Sequence, residues 1–372
     1  MIRPSRITAE EALELYRQAS FCELACRAGQ VTELLHPGNV RTYAVERNIN
    51  YTNVCVTRCS FCAFSVSPGS KKGYVLSDEE LATKIKPLVA LGGTQILLQG
   101  GMNPDLSFEW YENMLRAIKR RFARLHIHAF SPPEIVFMAR RFELSIDVVL
   151  GRLCAAGLDT LPGGGAEVLV DRVRRSISPA KCDAGQWLDV MRRAHRLGMC
   201  TTATMMFGHL ENIAERVEHL DLIRSFQDES LSLREKDPQA GFFTAFICWP
   251  FQEGGTRLAR RDRYDPAGSE PRLPGQLLPA GACEQLRMTA LARLYLDNIP
   301  NIQASWVTQG PDIGQLSLRA GCNDAGSLMM EENVVAAAGT SFTLQLDDLR
   351  GMIRKAGFIP VQRDCYYNHI GR

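Results

Sequence analysis

No stretch of this 372-residue chain carries an apolar run near the roughly 18 residues of a membrane-spanning helix. No charge sign dominates either. Lys and Arg number 43 and Asp and Glu 41, a net charge of +2, which points to neither nucleic acid nor a membrane surface as the main partner. Met1-Ile-Arg-Pro-Ser-Arg6 has no apolar core and no cleavage site, so no signal peptide is expected and the cytoplasm is the expected compartment. Internal repeats and low-complexity tracts are absent. A second C-x2-C pair is absent too. Structural zinc sites commonly pair two such knuckles, so a zinc reading of the cysteines lacks its other half.

What is present is a composition with ample material for a large core, 45% hydrophobic and 23% charged, as in ordinary globular domains. Cysteine is plentiful at 12 residues. Most are scattered and read as reduced, small buried hydrophobes, with Cys22 and Cys26 packing on one helix face. Three stand together in Cys55-Val-Thr-Arg-Cys59-Ser-Phe-Cys62. Three thiolates on one tight loop leave the fourth iron of a [4Fe-4S] cluster without a protein donor, and an open iron can chelate a small molecule. This spacing resembles the signature of radical S-adenosylmethionine (SAM) enzymes. Phe61 and Phe64 supply aromatic cover. A ferredoxin-like carrier would need a fourth cysteine.

From Arg41 onward, strand and helix patterns alternate. Expected strands or strand ends lie at 41–50, 96–101, 126–131, 158–165, 200–208, 242–249 and 302–306, with helices between them at about 108–122, 183–197 and 211–226. Thr8 with Glu11, and Ser77 with Glu80, read as capping boxes, the first opening a helix expected to run to about Gly29. Such alternation predicts an α/β fold of the (β/α)8 TIM type. Residues 1–40 form a helical extension, 41–320 the barrel and 321–372 a C-terminal cover completing it. Residues 254–281 read as a surface loop, 329–357 as a return to helix, and 358–364 as a last strand or an extended cover.

Working residues of such barrels gather at the C-terminal strand ends. Gln99-Gly100-Gly101 offers bare backbone for a ligand to approach. In Pro162-Gly-Gly-Gly-Ala-Glu167, Glu167 can accept hydrogen bonds from a ribose or an ammonium. Met206 packs against an adenine or belongs to the core. His126 and His128 share a strand face, and His128, nearer the strand end, forms a polar mouth with Ser131 and Glu134. His209 is a similar case.

Several longer segments carry a more specific likeness: Asn48-Ile-Asn-Tyr-Thr-Asn-Val-Cys55, Ile96-Leu-Leu-Gln-Gly-Gly101, His128-Ala-Phe-Ser-Pro-Pro-Glu-Ile135, Pro162-Gly-Gly-Gly-Ala-Glu167, Thr201-Thr-Ala-Thr-Met-Met-Phe-Gly-His209, Gln303-Ala-Ser-Trp-Val-Thr-Gln-Gly310 and Met329-Met-Glu-Glu-Asn333. Together, over residues 40–367, they resemble the dehypoxanthine futalosine cyclase family, radical SAM enzymes of the futalosine route to menaquinone. Sister enzymes, aminofutalosine synthase and the deazaflavin-cofactor synthases, share several of these motifs. A non-catalytic metal-binding protein is the alternative from another class.

The resemblance implies a [4Fe-4S] cluster on Cys55, Cys59 and Cys62. It implies SAM held near Phe64, Gln99, Gly100, Gly101, Glu167 and Met206, and a flavodoxin- or ferredoxin-type electron donor. A 5′-deoxyadenosyl radical would take hydrogen from the ribose C4′ of dehypoxanthine futalosine. The carbon radical would then add to the benzoate ring, and loss of a proton and an electron would follow. His128, His209, Asp324 and Glu331 are expected as candidate bases, and Ser131, Glu134, Trp306 and Arg319 as substrate contacts, with Arg319 meeting the carboxylate. The sequence departs from the family at Cys248 and Cys322, which bears on the substrate pocket.

Overall fold

The computed structural model describes residues 5–265, 268, 271–340 and 342–371. Met1–Pro4 of the N-terminal reading, and positions 266, 267, 269 and 270 of the 254–281 segment, lie outside the described residues.

Two helices come first, α1 (Ala9–Gln18) and α2 (Phe21–Leu35). Thr8 and Glu11 form the reciprocal cap. The single helix expected to reach Gly29 is broken, because the Ser20 hydroxyl accepts the Glu23 N–H and opens a new helix there. A serine that can cap competes with helix continuation. The Ser77–Glu80 box forms as expected ahead of the helix Asp78–Ala90.

Among the described residues nine strands follow: β1 (Val40–Ala44), β2 (Glu46–Asn50), β3 (Gln95–Gln99), β4 (His126–Ala129), β5 (Thr201–Phe207), β6 (Phe243–Pro250), β7 (Asn301–Gln303), β8 (Asp324–Ser327) and β9 (Ile359–Gln362). Every pairing between them is parallel. The strands β1 and β2 form one stave bent at Val45. From it the ladder passes through β3 and β4, crosses the single bridges His128–Thr160 and Leu161–Thr201, and continues through β5, β6, β7 and β8 back to β1. This is a (β/α)8 barrel of the TIM type. Its fourth stave is reduced to Thr160 and Leu161, so the hydrogen-bonded ladder is thin there.

Strand alternation decides what fills the barrel. Glu46, Asn48 and Asn50 of β2 face inward, as do Gln95, Leu97 and Gln99 of β3 and Thr202, Thr204 and Met206 of β5. Ile49, Ile96, Leu98, Ala203 and Met205, lying between them, are fully buried against the helices. Barrels of this type usually pack apolar side chains inside. Here the inward set is largely polar and leaves a cavity of about 430 Å3.

The C-terminal chain contributes to the cavity lining at both ends. Among the described residues of the 329–357 region only Leu346–Lys355 is α-helical, with a short turn at Ala336–Ala338. Met329, Glu332, Val334 and Val335 line the cavity mouth. Helix is refused because Met329 takes a left-handed φ of 48° and the Glu332 carboxylate accepts the backbone N–H groups of Val334, Val335 and Ala336. At the other end β9 pairs with β1, and Arg363, Cys365 and Tyr367 beyond it line the cavity floor.

The 254–281 segment is more than a solvated loop. Leu258 and Leu277 are buried, and the Leu258 N–H donates to Ser60 O inside the cysteine loop. Cys22 and Cys26 are exposed, not packed, while Cys248 and Cys322 are buried and do not line the cavity. Among the described residues no helix is long and apolar enough to cross a membrane.

Candidate active site

The three cysteines open into the cavity where the barrel strands end. Backbone bonds hold their loop in place: Cys55 N–H to Val66 O at 2.9 Å, Val56 N–H to Met102 O at 3.1 Å and Ser60 N–H to Ile177 O at 2.8 Å. Arg58 turns the chain through a left-handed φ of 47°. The Thr57 hydroxyl lies 3.0 Å from Cys55 Sγ and 3.4 Å from Cys59 Sγ, so these two thiols sit side by side. Cys55 and Cys59 are buried and Cys62 is half-buried. Among the described residues no three His, Cys, Asp or Glu side chains converge as ligands of one metal ion would. Cluster thiolates each take a different iron, so the loop suits a cluster better than zinc.

Beside the thiols runs the turn after β3. A Cβ on Gly101 would fall 2.2 Å from Val54 O and 2.9 Å from Cys55 Cβ, and one on Gly100 would fall 2.4 Å from the Tyr51 ring. Only glycine permits this approach between the turn and the cysteine loop. Glu134 ties the turn down. Its carboxylate accepts from Tyr51 Oη at 2.7 Å, Gly100 N–H at 3.1 Å and Ser131 Oγ at 2.6 Å. Burial raises Glu134 to about 7, against the pull of those hydrogen bonds. Ser131 and Glu134 therefore line the cavity with their polar atoms already engaged. Gly101→Ala is expected to displace the cysteine loop, lowering iron content and abolishing the SAM-induced change in the cluster's EPR spectrum. Wild-type values for both would show that the loop absorbs a methyl.

Glu167 faces the same chamber with a φ of 45°. Lys181 Nζ donates to its Oε1 at 2.6 Å and lies 5.1 Å from the Phe61 ring centre. Burial alone would raise the Glu167 carboxyl, but Lys181 and Arg174 outweigh it and hold it below the usual range. Burial opposes the Lys181 ammonium, yet Cys59 and Glu167 beside it leave its pKa raised. Burial pushes the Cys59 thiol up, with Lys181 and Thr57 working against that. Arg174 donates to Gly165 O and Ala166 O, fixing the glycine loop. Gln99, Met206, Phe64 and Trp306 also line the cavity, and Trp306 Nε1 donates to Ser327 O at 3.0 Å.

Deeper in the barrel the lining is Asn48, Gln95, His128, Thr202, Gln303 and the tail residues Arg363, Cys365 and Tyr367. Asn48 Oδ1 and Gln95 Oε1 are buried with no hydrogen-bond partner. Buried polar atoms rarely stay unpaired, and these two belong to residues of the cavity lining.

Four expected residues lie off the cavity. Asp324 is clamped by Arg363 at 2.7 and 3.0 Å and by the Thr42 hydroxyl at 2.6 Å. Glu331 turns outward to Arg47 and Lys84, both at 2.7 Å. His209 is fully buried with Nε2 2.9 Å from Met206 O. Arg319 stacks on Phe358 at 4.6 Å, beside the C-terminal chain and not at a ligand. None of these four lines the cavity, and of the candidate bases His128 does.

Sequence reading missed Asn48 and Gln95, whose inward alternation of polar residues along β2 and β3 was a usable signal. It also missed Lys181 and the tail residues, for which spacing carries no signal.

A cysteine loop and a glycine turn at the mouth of a parallel barrel define a radical SAM enzyme, and residues 49–223 match the radical SAM superfamily. Residues 239–371 match the CofH/MqnC C-terminal region. Cyclic dehypoxanthine futalosine synthase from Halalkalibacterium halodurans is 42% identical over 99% of this chain and 93% of its own. The enzyme of that name from Streptomyces coelicolor is 42% identical over 98% and 86%. A 5-amino-6-(D-ribitylamino)uracil–L-tyrosine 4-hydroxyphenyl transferase from Methanosarcina acetivorans is 37% identical over 98% and 91%. Two solved structures share the fold at 17% identity. Methylornithine synthase has a TM-score of 0.68 over 96% of this chain and 94% of its own. The [FeFe]-hydrogenase maturase HydG from Carboxydothermus hydrogenoformans has 0.70 over 98% and 78%. The chain belongs to the cyclic dehypoxanthine futalosine synthase family of radical SAM enzymes. Its cofactors are the [4Fe-4S] cluster and SAM of that superfamily.

Proposed function

We propose that this chain cyclises dehypoxanthine futalosine, joining the ribose C4′ to the benzoate ring, in menaquinone biosynthesis. The observation that carries the reading is one cavity holding three thiols at its mouth and unpaired polar atoms at its floor. Near-full-length identity to two synthases of that name supports the substrate.

Cys55, Cys59 and Cys62 hold the cluster in this reading. The bared backbone of Gly100 and Gly101, Glu167 and the Met206 side chain receive SAM. When bound, the pair supplies a primary carbon radical able to take a hydrogen atom from C4′. Asn48 and Gln95 accept from substrate hydroxyls, which fits a ribose. The chain over the mouth and the tail at the floor exclude water, and the enclosed cavity holds C4′ against the ring so that cyclisation outruns quenching. Of the two hydrogens the substrate loses, the C4′ hydrogen ends in 5′-deoxyadenosine and the ring hydrogen leaves as a proton to His128, the base on the cavity wall; the electron left behind would return to the cluster that Cys55, Cys59 and Cys62 hold. Arg363 lines the floor, but its guanidinium is taken up by Asp324 and by Asp364 O, so it positions the tail and does not receive the substrate carboxylate. A flavodoxin- or ferredoxin-type electron donor and a cytoplasmic setting complete the reading.

The test is an anaerobic assay of the iron-loaded, reduced protein with SAM and dehypoxanthine futalosine, read by mass spectrometry. A product two hydrogens lighter than substrate should appear with matching 5′-deoxyadenosine. Turnover of tyrosine with 5-amino-6-(D-ribitylamino)uracil instead would move the chain to the transferases.

A further inference from the structure

We propose that His126, Thr160 and His128 form a proton relay leading from the cavity wall to the base of the barrel, and that it removes the ring proton of the cyclised substrate. The relay rests on the cyclisation reading above.

The two histidines lie on one face of β4, two residues apart, and Thr160 is the bridge partner of His128 on the reduced fourth stave. Thr160 Oγ1 lies 2.7 Å from His126 Nε2 and 2.7 Å from His128 Nδ1. A hydroxyl has one hydrogen and two lone pairs, so between neutral rings it either donates to one and accepts from the other or, donating to Cys365 Sγ at 3.6 Å, accepts from both. Two arrangements give a continuous path between the rings. Either both rings carry hydrogen on Nδ1, leaving His128 Nε2 bare, or both carry it on Nε2.

The first arrangement is the receptive one. The substrate's proton arrives at His128 Nε2. His128 then passes its Nδ1 hydrogen to Thr160, and Thr160 passes its own to His126 Nε2. His128 ends neutral and His126 ends as an imidazolium. No electron moves, and one proton has crossed the wall. His126 sheds its Nδ1 proton to solvent, and the reverse shift follows when product leaves and water reaches His128.

Several observations favour passing the proton on over holding it. His128 is buried whereas His126 is partly exposed. Burial, then the neighbouring His126 and Arg363, push His128 down to about 3, so a cation cannot rest there. Burial lowers His126 as well, but Asp159 and Asp364 face it and work against that, with Lys119 opposing them, and Asp159 is itself held by Lys119 at 2.6 Å. The Tyr366 ring packs edge-on against His126 at 5.1 Å. Cys365 Sγ lies 3.6 Å from Thr160 Oγ1, and burial raises it to about 12, so it stays a thiol outside the relay. Thr160 and His126 are positioning residues, and His128 is the group that touches substrate.

Thr160→Val removes the hydroxyl at nearly constant volume, and Thr160→Ser keeps it. With Thr160→Val, 5′-deoxyadenosine release should stay within about threefold of wild type while product per deoxyadenosine falls about 10- to 100-fold, the size of a general-base contribution at its low end. Thr160→Ser should stay within about threefold on both. Nitrogen-15 NMR of histidine-labelled, cluster-loaded protein in its oxidised state should find both rings in the same tautomer, and Thr160→Val should uncouple them. A Thr160→Val enzyme with the wild-type product ratio overturns the relay, as do opposite tautomers in the wild type. Wild-type protein that cleaves SAM without forming product refutes the substrate instead, and the tautomers then decide the relay alone.

Discussion

Cys59→Ala is expected to leave a protein with well under four irons per chain and no detectable 5′-deoxyadenosine, a loss of at least about a thousandfold set by assay background. The argument is one of donors. Cys59 Sγ sits beside Cys55 through Thr57, and the neighbouring groups are a hydroxyl and the Lys181 ammonium, neither of which replaces a thiolate. Among the described residues no other set of His, Cys, Asp or Glu is arranged to take a metal. Cys55→Ala and Cys62→Ala should behave alike. Cys283→Ser, on an exposed cysteine away from the cavity, should keep iron content and SAM cleavage at wild-type levels. Iron and sulfide analysis with quantified deoxyadenosine decides it. A Cys59→Ala protein with a full cluster and turnover would sink the assignment of the loop.

The second large effect is on stability. Arg363 and Asp324 are joined by two hydrogen bonds with side chains 3% and 0% exposed. Burial works against the Arg363 guanidinium, and Asp324 and Tyr367 outweigh it, so its pKa is raised. Removing one partner of such a pair strands a buried charge, at about 3–5 kcal/mol. Arg363→Met should therefore lower the urea midpoint steeply, and Asp324→Asn should do much the same. The double variant should recover part of the loss, because no lone charge remains. The tail also carries Cys365 and Tyr367 into the floor, so Arg363→Met should weaken substrate binding more than SAM cleavage. Unchanged urea midpoints in both single variants would show that the tail is anchored by other contacts.

Much was legible without coordinates because it depends on neighbours in the chain. The C-x3-C-x2-C spacing confines three thiols to one loop whatever lies around it. The alternation of strand and helix specifies a parallel barrel, and that in turn puts Gly100, Gly101 and Glu167 at strand ends. The Thr8 and Ser77 caps formed because each needs only a partner three residues on. Two of the errors show where local reading fails. Ser20 could be read either as a helix residue or as a cap, and the cap won. Residues 329–336 carried enough helix-compatible sequence to suggest helix, but the Glu332 carboxylate claimed the backbone of Val334, Val335 and Ala336 and the cavity mouth claimed the side chains.

The sequence by itself determined the class of chemistry, the single loop that gathers three thiols and the barrel, all consequences of short-range spacing and of patterns that repeat along the chain. Tertiary structure alone decided which polar residues meet inside. It separated His128 from His209, Asp324, Glu331 and Arg319, since burial and ion pairs with distant residues engage the last four elsewhere. It also brought residues 363–367 under strands more than 300 positions earlier and set one threonine hydroxyl between two histidines. Such juxtapositions depend on the closure of the barrel, and no local pattern records them.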